Sequence, residues 1–146
     1  MKQLVLKVLG MCLLASVALG GIGSLKRCIM PDEEQVLKDK IAEFDHACEQ
    51  EDFEKAYSLL PDIKSAANNT NNSSEYDKCK MKVIKRESLY LLAQDNEQSA
   101  KRLVMLLSQY LDDGYEKSKL IEELIQMAEK IDNQYVLELL KDEVEE

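Results

Sequence analysis

Glycine is almost missing from most of this chain. Four of its five glycines, Gly10, Gly20, Gly21 and Gly23, fall within the first 23 residues, and only Gly114 lies beyond them. A body with one glycine has no glycine-rich phosphate loop, dinucleotide fingerprint or nucleophile elbow, because each needs several glycines close together. It also lacks the turn glycines of a multi-stranded sheet. Tryptophan is absent, proline is confined to Pro31 and Pro61, and His46 is the sole histidine. One histidine and no C-x-x-C pair remove most zinc patterns. A calcium loop, with alternating oxygen ligands around a central glycine, is not seen either. The sequence therefore points to no metal and no cofactor.

Positive charge is in deficit. There are 19 Lys and Arg against 28 Asp and Glu, a formal net charge of −9. A phosphate backbone attracts the cations this chain lacks, so nucleic acid is not an expected partner. An anionic membrane surface is disfavoured for the same reason. Such a surface serves solubility, or complements a basic partner. Leu, Glu, Lys, Ala and Gln dominate the body, and all are good helix formers.

The amino terminus, "MKQLVLKVLGMCLLASVALGGIGSLKRC", has the order of an export signal: Lys2 and Lys7, an apolar run from Val8 to Leu19, then small residues. Ala18-Leu19-Gly20 presents small side chains where a signal peptidase reads them, which places cleavage between Gly20 and Gly21. A second candidate follows Gly21-Ile22-Gly23. The competing reading is a retained membrane anchor, since Val8 to Leu25 is uncharged and just long enough to span a bilayer. Residues 1–23 are thus a signal peptide or membrane anchor, and 24–31 a linker. Any contact with a membrane runs through this segment alone, if it stays uncleaved.

From Asp32 onward apolar residues recur at helical spacing. Val36, Leu37, Ile41, Phe44, Ala47 and Cys48 make one stripe; Phe53, Ala56, Tyr57, Leu60, Ile63 and Ala67 make the next. Asp52 is placed to cap the second helix. Short connections force neighbouring helices antiparallel, since neither can bury its stripe alone. Three hairpins follow, at 32–67, 76–111 and 115–144. Seven consecutive Asn, Thr and Ser residues within "AANNTNNSSEYD" compete with helix for backbone hydrogen bonds, which predicts a mobile loop over 68–75. Asp112-Asp113-Gly114 is expected to end the fourth helix at its glycine. Aligning the intra-hairpin turns on Asp52, Asn96 and Asp132 puts Ala56, Ala100 and Val136 four residues later. The intervals are 44 and 36, with the surplus assigned to the loop. The fold class is therefore all-α, about six helices stacked as hairpins in a short solenoid or bundle.

"EQEDFEKAYSLL" resembles the inter-helix turn of tetratricopeptide repeats (TPRs), in which an acid, an aromatic, two variable residues and an alanine recur. Asp52, Phe53 and Ala56 hold those positions, and the match covers about half of one repeat. Glu97 and Asn133 replace the aromatic in the later units. Glu51 stands where the family has glycine, and the closing proline is not in place. The resemblance implies TPR-like hairpins and a scaffold that binds other proteins in a concave face.

Few residues invite chemistry. His46 and Cys48 are two apart, about 200° around a helix, and cannot act together within it. The acid pairs Glu122–Glu123 and Asp112–Asp113 sit on polar faces or in turns, not in the apolar pocket a catalytic acid needs. If the chain reaches an oxidising compartment, Cys28 and Cys79 lie at the same end of the array and form the favoured disulfide; free thiols are the alternative. Met81, Met105 and Met127 read as fillers at helix edges. Tyr57, Tyr90, Tyr110 and Tyr135 are the candidates for a partner-binding groove, where one end of a phenol is buried and the other wet. The expected function is protein–protein interaction by an exported, non-enzymatic helical-repeat protein of the bacterial cell envelope or periplasm. The alternative is a membrane-tethered acidic inhibitor or immunity-type protein that neutralises a basic partner.

Overall fold

A computed structural model describes residues 32–145. These residues are 86% helical, with no strand among them. The helices are α1 (Glu33–Glu49), α2 (Phe53–Asn69), α3 (Ser73–Ala93), α4 (Glu97–Tyr110), α5 (Tyr115–Ile131) and α6 (Gln134–Glu145). The expected all-α architecture is observed, with each hairpin's two helices packed together and α2 against α3. The signal, its cleavage point at Gly20–Gly21, the linker and Cys28 lie outside the described residues.

The turns explain how the chain does without glycine. Among the described residues, four other than glycine adopt the left-handed backbone: Glu51, Asn71, Asp95 and Asp132, with φ of 58°, 56°, 46° and 57°. Each is followed at once by Asp52, Asn72, Asn96 or Asn133, the N-terminal flank of the next helix. In three turns the backbone N–H of that following residue reaches back to an alanine carbonyl. Asp52 bonds Ala47 at 2.9 Å, Asn72 bonds Ala67 at 2.8 Å and Asn133 bonds Ala128 at 2.9 Å. This is the six-to-one bond of a Schellman ending. All three alanines are buried, so the small side chain sits where the helices converge. Asp52 and Asn133 also cap the next helix, as does Asn96 in the remaining turn, whereas Asn72 makes no side-chain cap bond. Asp52 Oδ1 accepts from the Lys55 backbone N–H at 3.2 Å, Asn96 from Ser99 at 2.8 Å and Asn133 from Val136 at 3.1 Å. At Asp52 and Asn133 one residue thus ends one helix with its backbone N–H and starts another with its side chain.

Two expectations are corrected. The loop expected over 68–75 contracts to Thr70–Asn72. Asn68 and Asn69 complete α2, Ser73 and Ser74 open α3, and the Thr70 hydroxyl donates to the Ala66 carbonyl at 3.0 Å. The hydrogen-bonding side chains that argued for a loop serve as helix endings instead. Gly114 does not end α4 in a left-handed turn. Leu111, in extended backbone, ends α4, and Gly114 precedes α5 with φ 165°.

The cap of α6 is Asn133, one residue beyond the aligned Asp132. Lateral contacts give the repeat directly. Lys82 Nζ meets Asp45 Oδ1 at 2.7 Å, Arg86 Nη1 donates to the Cys48 carbonyl at 3.1 Å, and Lys85 Nζ lies 4.0 Å from Glu123 Oε2. These pairs are 37, 38 and 38 residues apart, so α1, α3 and α5 run parallel in one register. The surplus between the first two turns therefore lies at the end of α3, not in the loop. Residues 87–93 extend α3 six to seven residues, or ~10 Å, beyond the end of α1. One core cluster fills the first hairpin and reaches Cys79 and Val83. The other runs from Ile84 through the second and third hairpins, so α3 is their shared wall. The third unit is seated differently, with α6 packed against α4 as well as α5.

Candidate functional site

The overhanging end of α3 floors a cleft of about 640 Å³ between α2 and α4. Phe53 and Tyr57, one turn apart on α2, form one wall. Met105, Leu106 and Tyr110 of α4 form the other, and Glu87 of α3 lies at the bottom. The Tyr57 and Tyr110 rings stack at 4.4 Å between centroids with 17° between planes, joining the second helices of two hairpins. Phe53 meets Tyr90 edge-on at 5.5 Å beside the cleft. Met105 is 68% exposed at the mouth.

The floor is polar and under-satisfied. Glu87 is only 3% exposed. Its Oε1 accepts from Arg102 Nη2 at 3.2 Å, and the Arg102 side chain is itself 69% exposed. Glu87 Oε2, the Tyr57 hydroxyl and the Ser88 hydroxyl have no hydrogen-bond partner among the described residues. Burial, and next the neighbouring Glu87 carboxylate, push the Tyr57 phenol far above its ordinary range. A buried carboxylate with one lone donor is costly to maintain, so the arrangement asks for a physical reason.

Of the tyrosines singled out from sequence, the fold brings Tyr57 and Tyr110 together and sets Tyr90 beside them. Tyr135 sits on α6, 47% exposed, and does not line the cleft. Asp52 caps α2, Phe53 lines the cleft, and Ala56 is fully buried in the first core cluster. His46 is exposed and Cys48 fully buried. Cys79 is a buried free thiol that burial pushes up to about 11; its suggested partner, Cys28, is not described. Among the described residues no three His, Cys, Asp or Glu side chains are grouped to hold a metal ion, and no helix is long and apolar enough to cross a membrane.

Glu87 and Arg102 escaped the sequence reading, although a signal existed for the first. Val83, Ile84, Leu91 and Leu92 mark the buried stripe of α3. Glu87 and Ser88 fall between them at the same helical spacing. An acid inside an apolar stripe is the pattern to notice. Arg102, on an exposed face, offers no such pattern. No protein family, curated protein or solved structure shows significant similarity to this chain.

Proposed function

We propose that this is an exported helical-repeat protein of TPR-like hairpins that has no catalytic activity and binds another protein in the bacterial cell envelope. The α2–α4 cleft carries the reading. It joins aromatic walls, an exposed methionine at its mouth and a polar floor, the mixture that marks recognition surfaces. The lateral register of 37 to 38 residues supports repeated hairpins, somewhat longer than the roughly 34-residue TPR unit. The buried Ala56 and Ala100 at the hairpin seams support the TPR-like turn. Export rests on the order of charge, apolar run and small residues in 1–23. The non-enzymatic reading rests on the dispersal of nucleophile and base, with Cys48 buried and His46 on the solvent side.

Affinity capture from the native envelope, comparing the wild-type chain with Met105→Glu, tests the proposal. A charge at this exposed position leaves the core intact while closing an apolar mouth. The expected result is a partner held by the wild type and lost by the variant, with equal helicity of the two. Equal capture by both would remove the cleft from the function. Capture that collapses with added salt would favour the acidic-inhibitor reading instead. Amino-terminal sequencing beginning at Gly21 is expected for the exported form, and an intact Met1 in membranes would oppose it.

A further inference from the structure

We propose that the α2–α4 cleft receives an arginine side chain, carried on an apolar stretch of a partner polypeptide, and that Glu87 is its counter-ion. This rests on the cleft being the partner-binding surface. The argument begins with the unsatisfied floor. A carboxylate has about four acceptor sites, and Glu87 uses one in good geometry, at 3.2 Å; Oε2 is left unpartnered among the described residues, the neighbouring Tyr57 hydroxyl falling outside strict hydrogen-bond geometry. A charge this deeply buried is stabilised only by being paired and fully hydrogen-bonded. The donor present, Arg102, is mostly in water and makes a single contact rather than a two-pronged one. A donor that keeps its own side chain in water and makes one contact can be exchanged for a two-pronged one.

Arginine fits what the cleft offers. Its planar fork can engage both carboxylate oxygens at once, after the carboxylate turns about its soft terminal torsion. Its flat face can lie on an outer face of the Tyr57–Tyr110 stack, whose π-cloud attracts a cation. Phe53, Met105 and Leu106 then cover apolar residues on either side of it. Arg102 is the cation on Glu87 that the incoming one displaces; Lys101, which also lines the cleft, is paired with Glu97. The net charge of −9 favours the approach of a basic segment.

The test uses three peptides, acetyl-Leu-Arg-Leu-amide and its Lys and Gln counterparts, titrated into the isotopically labelled full chain and followed by backbone-amide NMR. The Arg peptide is expected to shift amides in 53–57, 87–90 and 101–110 and to bind about tenfold tighter than the Gln peptide. Lys should fall between them. Glu87→Gln should erase the preference. Arg102→Ala removes the one donor to Glu87 and so should lower stability, but it should tighten the Arg peptide by removing its competitor. If Glu87→Gln proves unfolded, the Arg-to-Gln ratio in wild type and the sign of the Arg102→Ala effect decide the matter. Equal affinity for Arg and Gln peptides at the cleft, or weaker binding by Arg102→Ala, overturns the arginine assignment and leaves the cleft as a docking surface. No shift at the cleft with any peptide overturns both.

Discussion

Asn133 donates its side-chain N–H to the Leu92 carbonyl at 2.8 Å while its Oδ1 accepts from the Val136 N–H at 3.1 Å. One buried amide, 1% exposed, therefore ties the end of α3 to the third hairpin and caps α6. Replacing it by alanine removes a cap, worth about 1 kcal/mol, and orphans a buried carbonyl at a further ~1–3 kcal/mol. Asn133→Ala is expected to lower the unfolding free energy by about 2–4 kcal/mol in urea titrations. Asn133→Asp keeps the cap and loses the donor. It should be no better than alanine, because it adds a buried charge. A loss under about 1 kcal/mol for Asn133→Ala would mean that the Leu92 bond contributes little.

The left-handed turns make a different prediction. Glu51 is exposed and holds φ 58°, a conformation that costs an ordinary side chain about 1–2 kcal/mol and costs glycine little. Glu51→Gly should stabilise the chain by about 0.5–1 kcal/mol, part of the relief being offset by the freer unfolded chain. Glu51→Val, whose branched side chain fits this region poorly, should destabilise it. The two urea midpoints must move in opposite directions, and movement the same way would show that strain at Glu51 is not the cause.

Legibility of the fold followed periodicity. The stripes from Leu37 to Cys48 and from Ala56 to Ala67 were visible because burial imposes a 3.6-residue repeat. The Asn and Ser run misled because the same side chains that break a helix interior also terminate and cap helices. Thr70 does so at the end of α2, its hydroxyl donating to the Ala66 carbonyl, and Asn71 then turns the chain in the left-handed backbone. The cleft was half legible. Tyr57 and Tyr110 stood out as amphipathic aromatics, but their stacking depends on α2 and α4 lying side by side. That adjacency is set by the register of α1 and α3, which no local pattern carries. Arg102 was illegible because its role lies in one contact across 15 residues.

The buried thiols predict a pH response. Burial raises Cys79 from its usual 9.0 to about 11, and raises Cys48 in the same direction. The folded state therefore binds these protons more tightly than the unfolded state. The resulting stability is fully present below pH 9 and is lost as pH rises toward 11. Unfolding free energy should decline across that window, and Cys79→Ala should flatten the decline relative to its own value at pH 8. At pH 8 both thiols should resist iodoacetamide until urea unfolds the chain, as read by peptide mass spectrometry. Rapid labelling of Cys79 in the native protein would contradict its burial.

Tyr57 separates the packing of a ring from the bonding of its hydroxyl. The ring stacks on Tyr110 and touches both core clusters, so Tyr57→Ala should cost about 2–4 kcal/mol, near the lower end of aromatic truncations because the side chain is half-buried. The hydroxyl interacts with the Glu87 carboxylate closely enough to help raise the phenol's pKa, but it does not meet strict hydrogen-bond geometry. Tyr57→Phe deletes an unsatisfied buried oxygen and keeps the stack. It should be neutral or stabilising by up to about 1 kcal/mol. If Tyr57→Phe instead costs more than that, the phenol is bonded to Glu87 in solution. The floor of the cleft is then already satisfied, and the demand for an incoming cation disappears with it.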